Sequence, residues 1–203
     1  MKKDYTHISL VLDRSGSMDS VKADTIGSFN TFLKEQKENP KECTFTLVQF
    51  DNEYEIIHDF VSLKKSKNLT EKTFVPRGMT ALYDAIGRTI NSVGQKLADM
   101  SEEDRPERVI FVVLTDGEEN SSKEFHRDQI NEMISDVLSL LDKEHHFFIL
   151  NTYSLGFSSL IIENLMLDNL KRADLKDVQP EFGELYIPSS TQQKLPLGVY
   201  CRF

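Results

Sequence analysis

The sequence predicts a three-layer α/β domain: a mostly parallel sheet with helices on both faces and one antiparallel strand at its edge. Three observations carry that reading. Short apolar runs alternate along the chain with longer segments of helical periodicity. One run, Val109–Leu114 (VIFVVL), is uniformly apolar and rich in β-branched residues, as a central strand covered on both faces should be. In QFDNEYEIIHDF, Gln49 to Phe60, only Asp51–Glu53 separates two strand-like runs, which is the length of a hairpin connection.

In chain order, the first strand is Ile8–Leu12, followed by an oxygen-rich stretch and a helix marked by Val21, Thr25, Phe29, Phe32 and Leu33. Strands Phe45–Phe50 and Tyr54–Phe60 form the hairpin, and the alternation of polar and apolar residues in the second makes it the edge strand. The clearest helix carries Leu82, Ala85, Ile86, Thr89, Ile90, Val93 and Leu97; it ends in the charged SEEDRPER segment, where Pro106 blocks continuation. The central strand follows, then a helix with Phe125, Ile130, Met133, Ile134, Val137 and Leu141, and a strand over Phe147–Tyr153. A fourth helix over Leu160–Leu170 and a weaker strand over Glu184–Ile187 complete the alternation, with right-handed crossovers expected throughout. The domain is expected over residues 1–190. Residues 191–203 form a C-terminal extension with little periodicity and no functional reading.

A chain of 203 residues is long enough to bury roughly 70% of its unfolded surface as one domain. Its net charge of −9, with LKKSKNL (Leu63–Leu69) as the densest basic patch, argues against a nucleic-acid footprint. No apolar run approaches the ~18 residues of a membrane helix. The N-terminal apolar stretch follows Asp4 and is shorter than the roughly 7–15 residues of a signal peptide. A cytoplasmic protein without a membrane partner is the expectation. Cys43 and Cys201 form no metal or redox motif and read as reduced thiols, and the histidines show no HExxH spacing.

The chemistry concentrates where strands end. DRSGSMDS follows the first strand, TDGEEN (Thr115–Asn120) follows the central one, and PRGMTALYDAIG opens the long helix near Thr80. In open α/β sheets, ligands bind outside the carboxyl ends of the strands. A strand order 3-2-1-4-5-6 would bring Asp13 and Asp116 to one crevice. Asp13, Ser15, Ser17, Thr80 and Asp116 offer oxygen only, a donor set suited to Mg2+, Mn2+ or Ca2+ rather than zinc. An EF-hand counted from Asp13 would need Gly and Glu where Met18 and Asp24 stand. A phosphate-binding GxxxxGK[ST] loop and a GxSxG elbow are both missing. Taken alone, the first segment is equally readable as a turn followed by a helix cap.

Together, DRSGSM, GMTALYDAI and LTDGEEN closely resemble the von Willebrand factor A domain family, over about Tyr5 to Ile187 with TYSLGF and GELYIPSS matching late strands. The resemblance implies a Rossmann-like fold and a complete metal-ion-dependent adhesion site formed by Asp13, Ser15, Ser17, Thr80 and Asp116. It also implies a Mg2+-dependent interaction module, not an enzyme, whose cation takes an exposed Asp or Glu of a partner protein. Stand-alone intracellular members of bacterial or phage type suggest an AAA+ ATPase or stress-response partner, and a monomer in isolation. Because a −9 protein repels acidic partners at long range, binding should be strongly metal-dependent.

Two other readings use the same residues. A Mg2+-assisted hydrolase or phosphatase would take Asp116 or Glu118 as base, with Arg14 and Arg77 as the nearby cations for phosphate. A purely structural domain would keep the motif without binding metal. Around the site, Met18 and Met79 read equally as partner contacts or as loop packing. Glu118 and Glu119 read as outer carboxylates or, more simply, as an acidic cap on a helix over Ser121–Leu141. Helix N-terminal charge preference accounts for Asp84 and Asp19.

Overall fold

Apolar residues of the central strands point to both faces of the sheet, and this splits the core in two. In the computed structural model, which describes residues 1–39, 41–116, 119–140 and 146–151, β1 (Lys2–Asp13) lies at the centre of a sheet ordered β3-β2-β1-β4-β5. β2 (Glu42–Phe50), β4 (Pro106–Thr115) and β5 (His146–Asn151) run parallel to their neighbours on the β1 side, and β3 (Tyr54–Ser62) is antiparallel to β2. This agrees with the expected order as far as its fifth strand. The expected fourth helix, the sixth strand at Glu184–Ile187 and residues 191–203 lie outside the described residues, as do Glu118 and Cys201.

Successive strand residues face opposite sides of a sheet. Leu10 and Leu12 of β1 join Val112 and Leu114 of β4 and Phe45 and Leu47 of β2 under α1 (Lys22–Glu38), which contributes Phe29, Phe32 and Leu33. Val11, Val113, Phe111 and Phe50 face the other way. There they meet Leu82, Ile86, Ile90 and Val93 of α2 (Leu82–Asp99) and Ile130 and Ile134 of α3 (Arg127–Leu140). Each fully buried aliphatic side chain of this kind contributes about 1.5–3 kcal/mol relative to exposure. Burial on both faces makes β1 and β4 rigid, and it is their carboxyl ends that carry Asp13 and Asp116.

Two boundaries differ from expectation for physical reasons. β1 begins at Lys2, not Ile8, because backbone pairing with β4 extends through polar residues, with Lys2 opposite Pro106 and a register shift before Thr6. Pro106 opens β4, the strand position where a missing N–H costs least. α3 begins at Arg127, not near Ser121, because residues 119–125 are drawn into bonds with α2. Among the described residues no helix is long and apolar enough to cross a membrane.

Candidate metal centre

Three segments meet at the carboxyl edge of the sheet. β1 ends at Asp13, and the chain turns at once into a short 3-10 segment, Gly16–Val21, ahead of α1. Register pairs Leu12 with Leu114, which sets Asp13 beside the end of β4. Thr115 there donates its hydroxyl to Asp13 Oδ2 at 2.6 Å, and the Ser15 backbone N–H donates to Asp13 Oδ1 at 2.6 Å. Ser15 Oγ lies 3.1 Å from Ser17 Oγ, and Ser17 Oγ donates to Asp116 Oδ1 at 2.7 Å. Asp13, Ser15, Ser17 and Asp116 thus form one hydrogen-bonded chain, whose first link is the Ser15 backbone N–H and whose later links are the Ser15 and Ser17 hydroxyls. Although Ser15 holds the capping position of the 3-10 segment, its side chain makes no cap bond, so the helix-cap reading of this stretch fails.

Thr80 reaches the same edge through its backbone. Gly16 N–H donates to Gly78 O at 3.2 Å, linking its loop to the first segment. Thr80 N–H donates to Asn120 Oδ1 at 2.8 Å, while Thr80 O accepts from the N–H groups of Asn120 (3.0 Å) and Ser121 (3.2 Å). Gly78 has φ +67°, and a Cβ there would collide with the Asn52 side chain, so the turn into Thr80 requires glycine.

Burial weighs on the carboxylates of this cluster. Asp13, Ser15, Thr80 and Asp116 are buried, whereas Ser17 is exposed and opens the cluster to solvent. Burial pushes the Asp13 carboxyl up to about 6, against hydrogen bonds from Thr115 and Ser15 and with a further push from the Asp116 charge. Burial also raises Asp116, opposed by its bond from Ser17. Two adjacent carboxylates under this strain are the arrangement a divalent ion relieves. Among the described residues, no group of three or more His, Cys, Asp or Glu side chains is placed to hold a metal. A cation here therefore depends on hydroxyl oxygens beside two carboxylates, a hard donor set that fits Mg2+.

The nearby arginines are committed elsewhere. Arg14 Nε and Arg77 Nε both donate to Asp51 Oδ2, at 3.0 and 2.9 Å; Arg14 also bonds Glu55 at 2.6 Å, and Arg77 bonds Glu53 at 2.7 Å. Burial opposes ionisation of Asp51, but Arg77, the Glu53 N–H and Arg14 together hold its carboxyl below the ordinary range. Asp51 thereby ties the β2–β3 turn to the loops on either side of the site. Sequence reasoning counted it only as part of a hairpin gap.

The residues weighed around the site now separate. Met18 is fully buried in the α1-side core, so it is no partner contact; Met79, 56% exposed, stands beside Thr80 at the surface. Both Glu119 oxygens are occupied, Oε1 by the N–H groups of Ser121 and Ser122 and Oε2 by Tyr83 N–H and Ser122 Oγ. Glu119 therefore caps α2, not the helix that follows it. Asp84 accepts three backbone N–H groups, which charge preference at a helix start did not foretell.

A Rossmann-like α/β sheet with a carboxylate–hydroxyl cluster at its switch point defines the class of domain. The particular family follows from its sequence: residues 7–156 match the model of the von Willebrand factor type A domain, and the chain belongs to that family. No curated protein matches it in sequence. Among solved structures, it is similar to a von Willebrand factor type A protein from Catenulispora acidiphila (13% identity, TM-score 0.46, covering 71% of this chain and 32% of that one). It is also similar to three N-terminal domains of the type V pili tip protein Mfa5 from Porphyromonas gingivalis (17%, TM-score 0.44, 61% and 22%). A mutant of the PilB minor pilin from Streptococcus sanguinis is a third (21%, TM-score 0.44, 56% and 30%). The chain thus spans between 22% and 32% of the length of these structures.

Proposed function

We propose that the domain is a metal-dependent protein-interaction module in which Asp13, Ser15, Ser17, Thr80 and Asp116 hold a Mg2+ ion whose free position takes a carboxylate from a partner protein. The observation that carries this reading is the hydrogen-bonded chain from Asp13 to Asp116, buried at its carboxylates and open at Ser17. An ion held by two carboxylates and neutral hydroxyls keeps residual positive charge, and Mg2+ exchanges retained water for an acidic ligand. Mn2+ or Ca2+ could occupy the same oxygens. Met79, exposed beside Thr80, offers an adaptable apolar contact to whatever approaches the ion. The hydrolase reading has less support, because Arg14 and Arg77, its phosphate-holding candidates, are bonded to Asp51, Glu53 and Glu55.

The test is binding of wild type and Asp13→Ala to an array of peptides that present Asp or Glu, each paired with its Asn or Gln version, in Mg2+ and in EDTA. Retention that needs Mg2+, the peptide carboxylate and Asp13 together is expected. Retention indifferent to all three would refute the proposal.

A further inference from the structure

α2 has no cap of its own. The residue before it, Ala81, makes no side-chain cap bond, yet the first N–H groups of a helix require partners from outside it. Residues 119–122 supply partners for two of them, Tyr83 and Asp84, and for Thr80 ahead of the helix. Asn120 Oδ1 accepts from Thr80 N–H at 2.8 Å, Glu119 Oε2 from Tyr83 N–H at 2.9 Å, and Ser122 Oγ from Asp84 N–H at 3.1 Å. Bonds also run in the other direction. The Asp84 carboxylate accepts the N–H groups of Lys123, Glu124 and Phe125, each at 2.9 Å. These bonds outweigh the effect of burial and hold the Asp84 carboxyl below its ordinary range, so it is anionic and a strong acceptor.

Packing closes the far end of this seam. Phe125 lies over Gly87 of α2, where an added Cβ would come within 2.7–2.8 Å of three ring atoms. Only glycine lets the ring approach the helix this closely. Residues 119–125 and the opening turns of α2 are therefore bonded and packed against each other.

We propose that Asp84 and Glu119 are positioning residues for the cation: they lock segment 119–125 onto α2, and that segment, through Asn120 and Ser121, fixes the backbone of Thr80 at the site. This rests on the metal reading of the site above, but none of the locking residues is a ligand. Partners of this kind set the affinity of a metal site by fixing its ligands. A merely structural seam would stabilise the fold and leave affinity untouched.

Gly87→Ala tests the lock without changing charge or weakening the helix, since it acts by displacing Phe125. Asp84→Asn and Glu119→Gln test it chemically. Glu103→Gln, on the exposed segment ahead of β4 and away from the seam, is the control for charge alone. Mn2+ affinity is read by solvent proton relaxation, and amide hydrogen exchange is followed in metal-free protein. Gly87→Ala, Asp84→Asn and Glu119→Gln should each weaken Mn2+ binding about 10-fold, while Glu103→Gln should leave it near wild type. In the same three variants the amides of Tyr83 and Asp84 and those of Lys123–Phe125 should lose protection together. Wild-type affinity in Gly87→Ala and Asp84→Asn, despite that loss, would overturn the positioning role. If wild-type protein takes up no Mn2+, the metal reading itself fails. Exchange then judges the lock: joint loss on both sides of the seam supports it, and loss on the mutated side alone overturns it.

Discussion

His7 is the buried charge-bearing group whose behaviour is easiest to isolate. Its ring stacks on Phe60 with centroids 3.6 Å apart, and its nitrogens lie 2.9 Å from Thr44 Oγ1 and 3.0 Å from Ser9 Oγ. Burial, aided by the charge of Lys96, pushes it down to about 3 from an ordinary value of 6.5. The unfolded chain therefore takes up this proton first as pH falls. Stability conferred by neutral His7 is complete above the ordinary value and is lost at up to about 1.4 kcal/mol per pH unit between the two values. Asp13 acts in the opposite sense, because its folded form is protonated first as pH falls through about 6. The wild-type curve thus mixes the two, and His7→Gln separates them. Urea unfolding of that variant should lose less stability than wild type between pH 6.5 and pH 4.5; parallel curves would contradict this assignment. Neither environment was legible beforehand. A histidine one residue before an apolar run looks exposed until the neighbouring strands are paired, whereas the carboxylate and hydroxyl spacing that marks Asp13, Ser15 and Ser17 is local and can be read directly.

Among elements, the turn between β1 and α1 shows what spacing can and cannot specify. DxSxS fixes which residues carry oxygen. It does not say that Met18, the residue after it, turns inward to the core that holds Phe29 and Leu33 while Met79 of the second loop turns out. Those directions depend on where α1 crosses the sheet, a long-range matter. The two methionines should respond oppositely to truncation. Met18→Ala should cost about 2–5 kcal/mol in equilibrium unfolding, as buried side chains of this size do. Met79→Ala should stay within about 0.5 kcal/mol, as exposed substitutions do. Similar losses for both would mean that the inward and outward assignments are wrong. The late start of α3 has the same origin: acidic and hydroxyl residues over 119–122 look like a helix opening, but α2 captures them first.

Over the whole molecule, the alternation of elements made the layers, the central strand and the antiparallel edge legible, because each depends on short-range hydrophobic period and on one hairpin gap. The crevice depends on strand order, which period alone leaves open, and the observed β3-β2-β1-β4-β5 arrangement brings Asp13 and Asp116 to one edge. The central claim is that their charges are arranged for a cation. The most direct measurement is the thermal midpoint of wild type and Asp116→Asn in EDTA and in Mg2+. In EDTA the variant should melt at or above wild type, because it removes a carboxylate whose ionisation burial opposes. Mg2+ at about 100 times its dissociation constant should add about 2.7 kcal/mol to wild type alone. That would raise its midpoint by roughly 5–10 °C and invert the ranking. Equal midpoints with and without Mg2+ in both proteins, or an equal rise in both, would contradict the account.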